Sequence, residues 1–188
     1  MEFNRLLSSI ISTYGEPSLS EKKIDSIPKE VQKSINKKNY YLIKNEKEID
    51  KWIKEAEESG EFAIDTETSS LDAHQADLIG ISLSTKIGKA CYIPIAHKLG
   101  NCLNKEVVLK KLKPLLEDKS VKKIGQNIKF DFIIFYKHGI KMNSMEDTML
   151  MSYVLDAGKN RHNMDTLSEI HLNHKTISFK DLVGSGKK

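Results

Sequence analysis

Three strand-like segments follow one another in the middle of the chain with no helix between them. They cover residues 62–67, 78–84 and 89–95, and only the four residues TKIG separate the last two. A connection this short joins antiparallel neighbours, because a parallel crossover needs a dozen or more residues. The middle of the sequence therefore predicts an antiparallel meander.

Helical patterns and shorter strands flank this meander. Before it, residues 40–43 predict a strand and residues 46–58 a helix. After it we expect, in order, a helix at 105–118, a strand at 121–125, a helix capped by Asn127 and running to about Lys137, a short extended piece at 140–142, and helices at 147–155 and 164–172. This order predicts an α/β fold, in which a mixed sheet with a parallel addition is flanked by helices.

The first 38 residues have a different character. Apolar residues at helical spacing predict a helix within residues 1–14. Residues 15–38 are poor in large apolar groups, rich in Lys, Ser and Glu, and contain Pro17 and Pro28, which is typical of a solvated linker. We therefore expect the compact domain to cover residues 39–188.

Composition restricts the function only weakly. The chain has 30 Lys and Arg against 26 Asp and Glu, and a net charge of +4. This excess is compatible with a polyanionic partner but does not require one. No apolar run reaches the roughly 18–20 residues that span a bilayer, and the first residues lack the apolar core of a signal peptide. We therefore expect a cytoplasmic protein with no membrane partner.

The first strand of the meander ends in two carboxylates one residue apart. Asp65 and Glu67 share a face of the strand, because side chains alternate with a period of two. They emerge at the carboxyl end of the strand, where open α/β sheets bind ligands. Such close like charges raise each other's pKa unless a cation lies between them, and hard oxygen donors suit Mg²⁺ or Mn²⁺. Taken alone, the pair is more typical of a strand end that begins a polar turn.

A third carboxylate lies within a strongly apolar helix. Asp131 is one turn beyond Asn127, so the two share a helix face. A carboxylate in such surroundings needs a cation, a hydrogen bond or access to solvent. Strand-end carboxylates followed by a helix-borne Asp are typical of two-metal phosphoryl chemistry. The sequence therefore predicts a divalent metal centre, with a plain surface Asp as the alternative.

Three segments resemble the proofreading 3′–5′ exonuclease domain of bacterial DNA polymerase I. They are FAIDTETSSLD, KKIGQNIKFDFIIFYKHGI and AGKNRHNMDTLSEIHLNHKTISFKDLVGSGKK, and the likeness runs from about Tyr40 to the last residue. It implies an RNase H-like (DnaQ-like) exonuclease fold that removes mispaired nucleotides from the 3′ end of single-stranded DNA. It also implies that residues 1–14 end a preceding 5′-nuclease domain and that a polymerase domain is covalently linked in the full-length protein.

The resemblance also implies roles for individual residues. Asp65, Glu67 and Asp131 match the ligands of two divalent metal ions, Mg²⁺ or Mn²⁺, with Asp65 bridging both. Leu71 matches a residue that wedges against the terminal bases, and Phe179 matches one that stacks on them. The residues expected to contact the DNA strand are Thr66, Leu71, Asn127, Arg161 and Phe179.

One motif of that family is not matched. Its third motif is Tyr followed four residues later by Asp, but Tyr153 has Ala157 at that spacing and the chain ends at Lys188. We therefore expect a C-terminally incomplete fold, weak metal binding, some single-strand affinity and negligible hydrolysis by these 188 residues alone. The alternatives are a ribonuclease D-like RNA 3′-exonuclease and a non-catalytic module with a nucleic-acid-binding or structural role.

Overall fold

The computed structural model describes residues 4–15, 39–98 and 100–177. The main feature of these residues is a mixed sheet of six strands. The strands are β1 (Tyr40–Leu42), β2 (Glu61–Thr68), β3 (Leu78–Lys86), β4 (Lys89–Pro94), β5 (Lys122–Gly125) and β6 (Met145–Asp147). Their spatial order is β1-β4-β3-β2-β5-β6.

Strand pairing confirms the predicted meander and its parallel addition. β2 pairs antiparallel with β3, and β3 pairs antiparallel with β4. β5 lies parallel to β2 on the other side, and β6 and β1 add parallel edges to β5 and β4. β2 is therefore an inner strand, flanked by a strand of each orientation.

Six helices accompany the sheet in the described part of the chain. They are α1 (Asn4–Tyr14), α2 (Glu46–Ser59), α3 (Lys105–Glu117), α4 (Ile128–Lys137), α5 (Thr148–Asp156) and α6 (Met164–Leu172). Local chemistry sets the ends of α2: the Asn45 side chain accepts from the amide of Glu48 at 3.2 Å, and Gly60 ends the helix at φ 71°. None of the described helices is long and apolar enough to cross a membrane.

The core lies on one face of the central strands. Phe62 and Ile64 of β2 and Ile81 and Leu83 of β3 are almost completely buried, and α2 and α4 contact this part of the sheet. The alternate residues of β2, which include Asp65 and Glu67, are exposed. The predicted alternation along this strand is therefore confirmed, and the two carboxylates belong to the face opposite the core.

The piece predicted as extended at 140–142 is not helical but does not pair with the sheet, and the paired strand β6 begins three residues after it, at Met145. Ile140 donates its amide to the carbonyl of Phe135 at 3.1 Å, which closes the end of α4. Asn143 then bonds Leu116 and Glu117 near the end of α3. These bonds hold the segment against two helix ends, so strand pairing with β5 starts only at Met145.

The predicted side-chain cap at Asn127 is wrong. Asn127 does occupy the residue before α4, but its backbone is left-handed at φ 59° and its side chain makes no capping hydrogen bond. Its backbone amide is instead held by Asp147 Oδ1 at 3.1 Å. The side-chain oxygen of Asn127 therefore does not cap the first turn of the helix. Most of the linker predicted at 15–38 lies outside the described residues.

Candidate functional site

A cleft of about 480 Å³ opens at the carboxyl end of β2. Its walls come from the end of β2, the loop that follows it, and the start of α4. The lining residues are Asp65, Thr66, Glu67, Thr68, Ser69, Ser70, Leu71, Gln126, Asn127, Phe130 and Asp131. All three carboxylates predicted from the sequence therefore line one cleft.

The sheet register explains why a cleft forms at this point. The parallel pairing of β2 with β5 ends at Ala63 and Ile124, because the chain leaves β5 after Gly125 to begin α4. β2 continues to Thr68, paired only with β3. The last residues of β2 therefore lack a strand neighbour on one side, and the first turns of α4 occupy that side.

Asp131 joins the helix to this unpaired part of β2. Its Oδ1 accepts two hydrogen bonds from Thr66, from the backbone amide at 2.8 Å and from the hydroxyl at 2.6 Å. The Asp131 side chain is buried, with 2% of its surface exposed. The sequence required a partner for this carboxylate, and the structure supplies one from the residue between Asp65 and Glu67.

The carboxylates in the cleft perturb one another's ionisation. Limited hydration within the cleft, and then the carboxylates of Asp131 and Glu67, raise the pKa of Asp65 to about 6. Burial also raises the pKa of Asp131, although the two hydrogen bonds from Thr66 oppose that shift. A cation placed among these groups would stabilise their ionised forms.

The donor set fits a hard divalent ion in its chemistry. Asp65 and Glu67 point from the same face of β2, and only one oxygen of Asp131 is taken by Thr66. Carboxylate oxygens are the preferred ligands of Mg²⁺ and Mn²⁺. Within residues 4–15, 39–98 and 100–177, however, no three His, Cys, Asp or Glu side chains are already grouped closely enough to hold an ion.

The residues predicted to contact a DNA strand fall into three groups. Thr66, Leu71 and Asn127 line the cleft. Leu71 is 99% exposed at its rim. The Thr66 hydroxyl already donates to Asp131. Arg161 is exposed in the loop between α5 and α6 and is not among the lining residues. Phe179 lies outside the described residues.

Sequence reasoning missed the residues that connect the cleft to the Arg161 loop. Gln126 lines the cleft and donates from its side chain to the carbonyl of His162 at 2.7 Å, while its own side-chain oxygen accepts from Thr148 at 2.5 Å. Asp147 caps α5 and holds the amide of Asn127. An Asp directly before an apolar helical segment is a cap signal that could have identified Asp147.

The architecture is shared with solved nucleases. Brucella melitensis NrnC with bound Mg²⁺ superposes with a TM-score of 0.56 at 24% identity, covering 80% of this chain and 68% of that one. Trypanosoma brucei RNase D in complex with RNA U12 gives a TM-score of 0.64 at 14% identity, covering 80% and 52%. At these identities the likeness shows the fold, which is that of the RNase H-like exonucleases.

Sequence comparison identifies the family. A family model described as 3′–5′ exonuclease matches residues 40–188. DNA polymerase I of Rhizobium leguminosarum is 44% identical over 169 residues, which is 79% of this chain and 16% of that protein. The chain therefore belongs to the 3′–5′ exonuclease family that occurs in DNA polymerase I, a family of nucleases that generally use divalent metals. It spans about one sixth of the length of this relative.

Proposed function

We propose that this chain belongs to the 3′–5′ exonuclease domain of a DNA polymerase I, and that the complete domain in the full-length protein shortens frayed DNA 3′ ends in replication and repair, whereas these 188 residues alone hydrolyse DNA negligibly because they lack the Tyr-x3-Asp motif. The observation that carries the proposal is the shared cleft of Asp65, Glu67 and Asp131, together with the bond that fixes Asp131 to Thr66. Residues 1–14 and 15–38 would then end a 5′-nuclease domain and link it to this one. The polymerase domain would be a covalent neighbour.

Within this proposal, each carboxylate has a separate task. Two divalent ions would supply an activated water and stabilise the leaving 3′ oxygen. Asp65 and Glu67 would bind them from the exposed face of β2, and Asp131 would bind through the oxygen that Thr66 leaves free. Leu71, exposed at the rim, would separate the terminal base from its neighbour, because an apolar side chain contacts any base without reading its identity.

Metal and strand binding test the proposal on the full chain. We expect Mn²⁺ to raise the melting temperature of the wild type, because a ligand that binds only the folded state stabilises it. Asp65→Asn combined with Glu67→Gln should abolish that rise. Glu57→Gln, at an exposed position of α2, is the matched control and should keep it. An equal rise in all three proteins would refute a metal site at β2.

End recognition tests the substrate. A linear single-stranded oligonucleotide should bind more tightly with Mg²⁺ than a circular one of the same sequence, because an exonuclease binds a terminus. Equal binding would favour a non-catalytic module that contacts the strand along its length.

The RNA-directed alternative has a separate measurement. The fold is also that of ribonuclease D, but the sequence match is to DNA polymerase I. We expect DNA 3′ ends to be preferred over RNA ends of the same sequence, with the 2′-OH as the group that distinguishes them. A preference for RNA would favour the ribonuclease D-like reading.

A further inference from the structure

A tyrosine–histidine pair lies on the same face of the sheet as the two strand carboxylates. The antiparallel registers place Asp65 opposite Ser82 and Ser82 opposite Tyr92. Directly opposite partners in a sheet share a face. The Tyr92 side chain therefore lies on the same face as the carboxylates, opposite the core, and two strands away from Asp65.

Gly80 brings the tyrosine close to Glu67. Gly80 is the register partner of Glu67, and a Cβ added to Gly80 would lie 1.9 Å from the Tyr92 hydroxyl oxygen. The ring of Tyr92 therefore lies across the bare backbone of Gly80, one strand spacing of about 5 Å from the Glu67 backbone. The Glu67 carboxylate contributes to a raised pKa of Tyr92, second to burial.

The tyrosine hydroxyl holds an exposed histidine. Tyr92 Oη and His97 Nε2 are 2.8 Å apart, and the two rings lie 5.5 Å apart at 60°. The backbone of His97 is also fixed, because its amide donates to Cys102 Sγ at 3.1 Å. An exposed imidazole is thus held in place from both its ring and its backbone.

In this arrangement Nδ1 is the ring nitrogen of the exposed imidazole that Tyr92 does not contact. When the Tyr92 hydroxyl donates to Nε2, the imidazole proton lies on Nδ1 and can be donated to an acceptor. Phosphate oxygens are strong acceptors, and side-chain donors that contact them position a nucleic-acid strand without reading its sequence. Lys98, the next residue, is exposed and adds a positive charge to the same loop.

We propose that His97, oriented by Tyr92, binds a phosphodiester of the DNA strand beside the one held at Asp65 and Glu67. This proposal rests on the proposed function for the identity of the strand. Tyr92 acts through His97 and is a positioning residue. A strand laid across the open face of the sheet from Asp65 would pass Glu67 and Gly80 before it reaches this pair.

The test is the affinity of the full chain for a 5′-fluorescein-labelled single-stranded oligothymidylate, followed by fluorescence anisotropy in EDTA. We expect His97→Ala to raise Kd about five- to tenfold, as for the loss of one exposed hydrogen bond to a charged group. His97→Asn, whose amide can replace the Nδ1 donor, should recover part of that loss. His138→Ala is the matched control, because His138 lies at the far end of α4 from Asp131.

A double-mutant cycle tests the role of the tyrosine. Tyr92→Phe keeps the ring over Gly80 and removes only the hydroxyl, so Kd should rise about two- to threefold. In the His97→Ala background the same change should have no effect, because Tyr92 acts only through His97. Equal losses in both backgrounds would overturn the positioning role, and melting temperatures of all variants should stay close to the wild type.

The outcomes separate this inference from the proposed function. Wild-type affinity in both His97→Ala and His97→Asn overturns the inference, and the metal test at β2 still decides the exonuclease proposal. A Kd change specific to His97 with no Mn²⁺ effect at Asp65 and Glu67 supports the strand contact and refutes the exonuclease chemistry. If His97→Ala lowers the melting temperature and His97→Asn does not, the inference is judged on His97→Asn and Tyr92→Phe alone. Wild-type affinity in both of these variants then overturns it.

Discussion

Replacing Asp65 by Asn should stabilise the metal-free protein, although it removes a proposed metal ligand. The pKa of Asp65 is raised to about 6 by limited hydration within the cleft and by the carboxylates of Asp131 and Glu67. The ionised form of Asp65 is therefore unfavourable in the folded state at neutral pH. Asn has nearly the same size and shape but carries no charge, so the substitution removes this unfavourable term.

The structure sets the size of the effect. A pKa raised from 3.8 to about 6 corresponds to about 3 kcal/mol of unfolding free energy, at 1.36 kcal/mol for each tenfold change in proton affinity. Asp65 is exposed, so solvent screening reduces this to about 1 kcal/mol. For a chain of this length, such a gain raises the melting temperature by about 2–4 °C.

The pH dependence has a definite sign. Between pH 3.8 and about 6 the folded state retains the Asp65 proton and the unfolded state loses it, so stability falls as pH rises through this window. The wild type should lose about 1 kcal/mol through this group between about pH 4 and pH 7. Asp65→Asn should not show this loss. Urea unfolding in EDTA at both pH values measures the difference.

Two results would refute this reasoning. One is an Asp65→Asn protein no more stable at neutral pH than the Glu57→Gln control, which removes a charge from an exposed position of α2. The other is a gain that persists unchanged near pH 4, where the wild-type carboxyl is already protonated. Mn²⁺ should then reverse the order of stability, because it can stabilise only the protein that keeps its ligand.

Three further substitutions test contacts that support the site. Thr66→Val should lower the unfolding free energy by about 1.5–3 kcal/mol, because it removes the hydroxyl hydrogen bond to buried Asp131. Thr66→Ser keeps a hydroxyl and should lower the unfolding free energy by less; urea titration measures both. Gly80→Ala should cost about 1–3 kcal/mol and displace the Tyr92 ring, which a change in tyrosine fluorescence would report. Lys123→Met should lower the unfolding free energy by about 1–3 kcal/mol, because the buried ammonium donates to two loop carbonyls that would lose their partner. An unchanged melting temperature would contradict this.

The parts of the fold that the sequence predicted are those governed by local periodicity. β2 alternates between buried and exposed residues, so the side of Asp65 and Glu67 followed from a period of two. The short TKIG connection required an antiparallel pair, and β3 and β4 form one. Both features depend only on residues close together in the chain.

Contacts between distant residues could not be predicted in the same way. Asp131 and Thr66 are 65 positions apart, and their bond depends on where β5 ends relative to β2. The sequence showed that Asp131 needed a partner but could not name it. The pair of Tyr92 and His97 depends on Gly80 in a neighbouring strand, so it became visible only from the sheet register.

The local differences between sequence and structure have a common cause. Asn127 donates its amide to Asp147, and Asn143, which directly follows residues 140–142, donates to Leu116 and Glu117; these tertiary hydrogen bonds replaced the local structure that propensity indicated. Residue type favours a cap or a strand by only about a kilocalorie per mole. Contacts with neighbouring elements outweigh preferences of this size.

The two donors that Thr66 offers to Asp131 differ in how replaceable they are. One donor is the backbone amide, which nineteen of the twenty amino acids possess. Most substitutions at this position would therefore keep one of the two hydrogen bonds to Asp131. Proline is the exception, since its ring nitrogen carries no hydrogen and its side chain no hydroxyl. Among related sequences, position 66 should therefore vary among small residues and exclude proline.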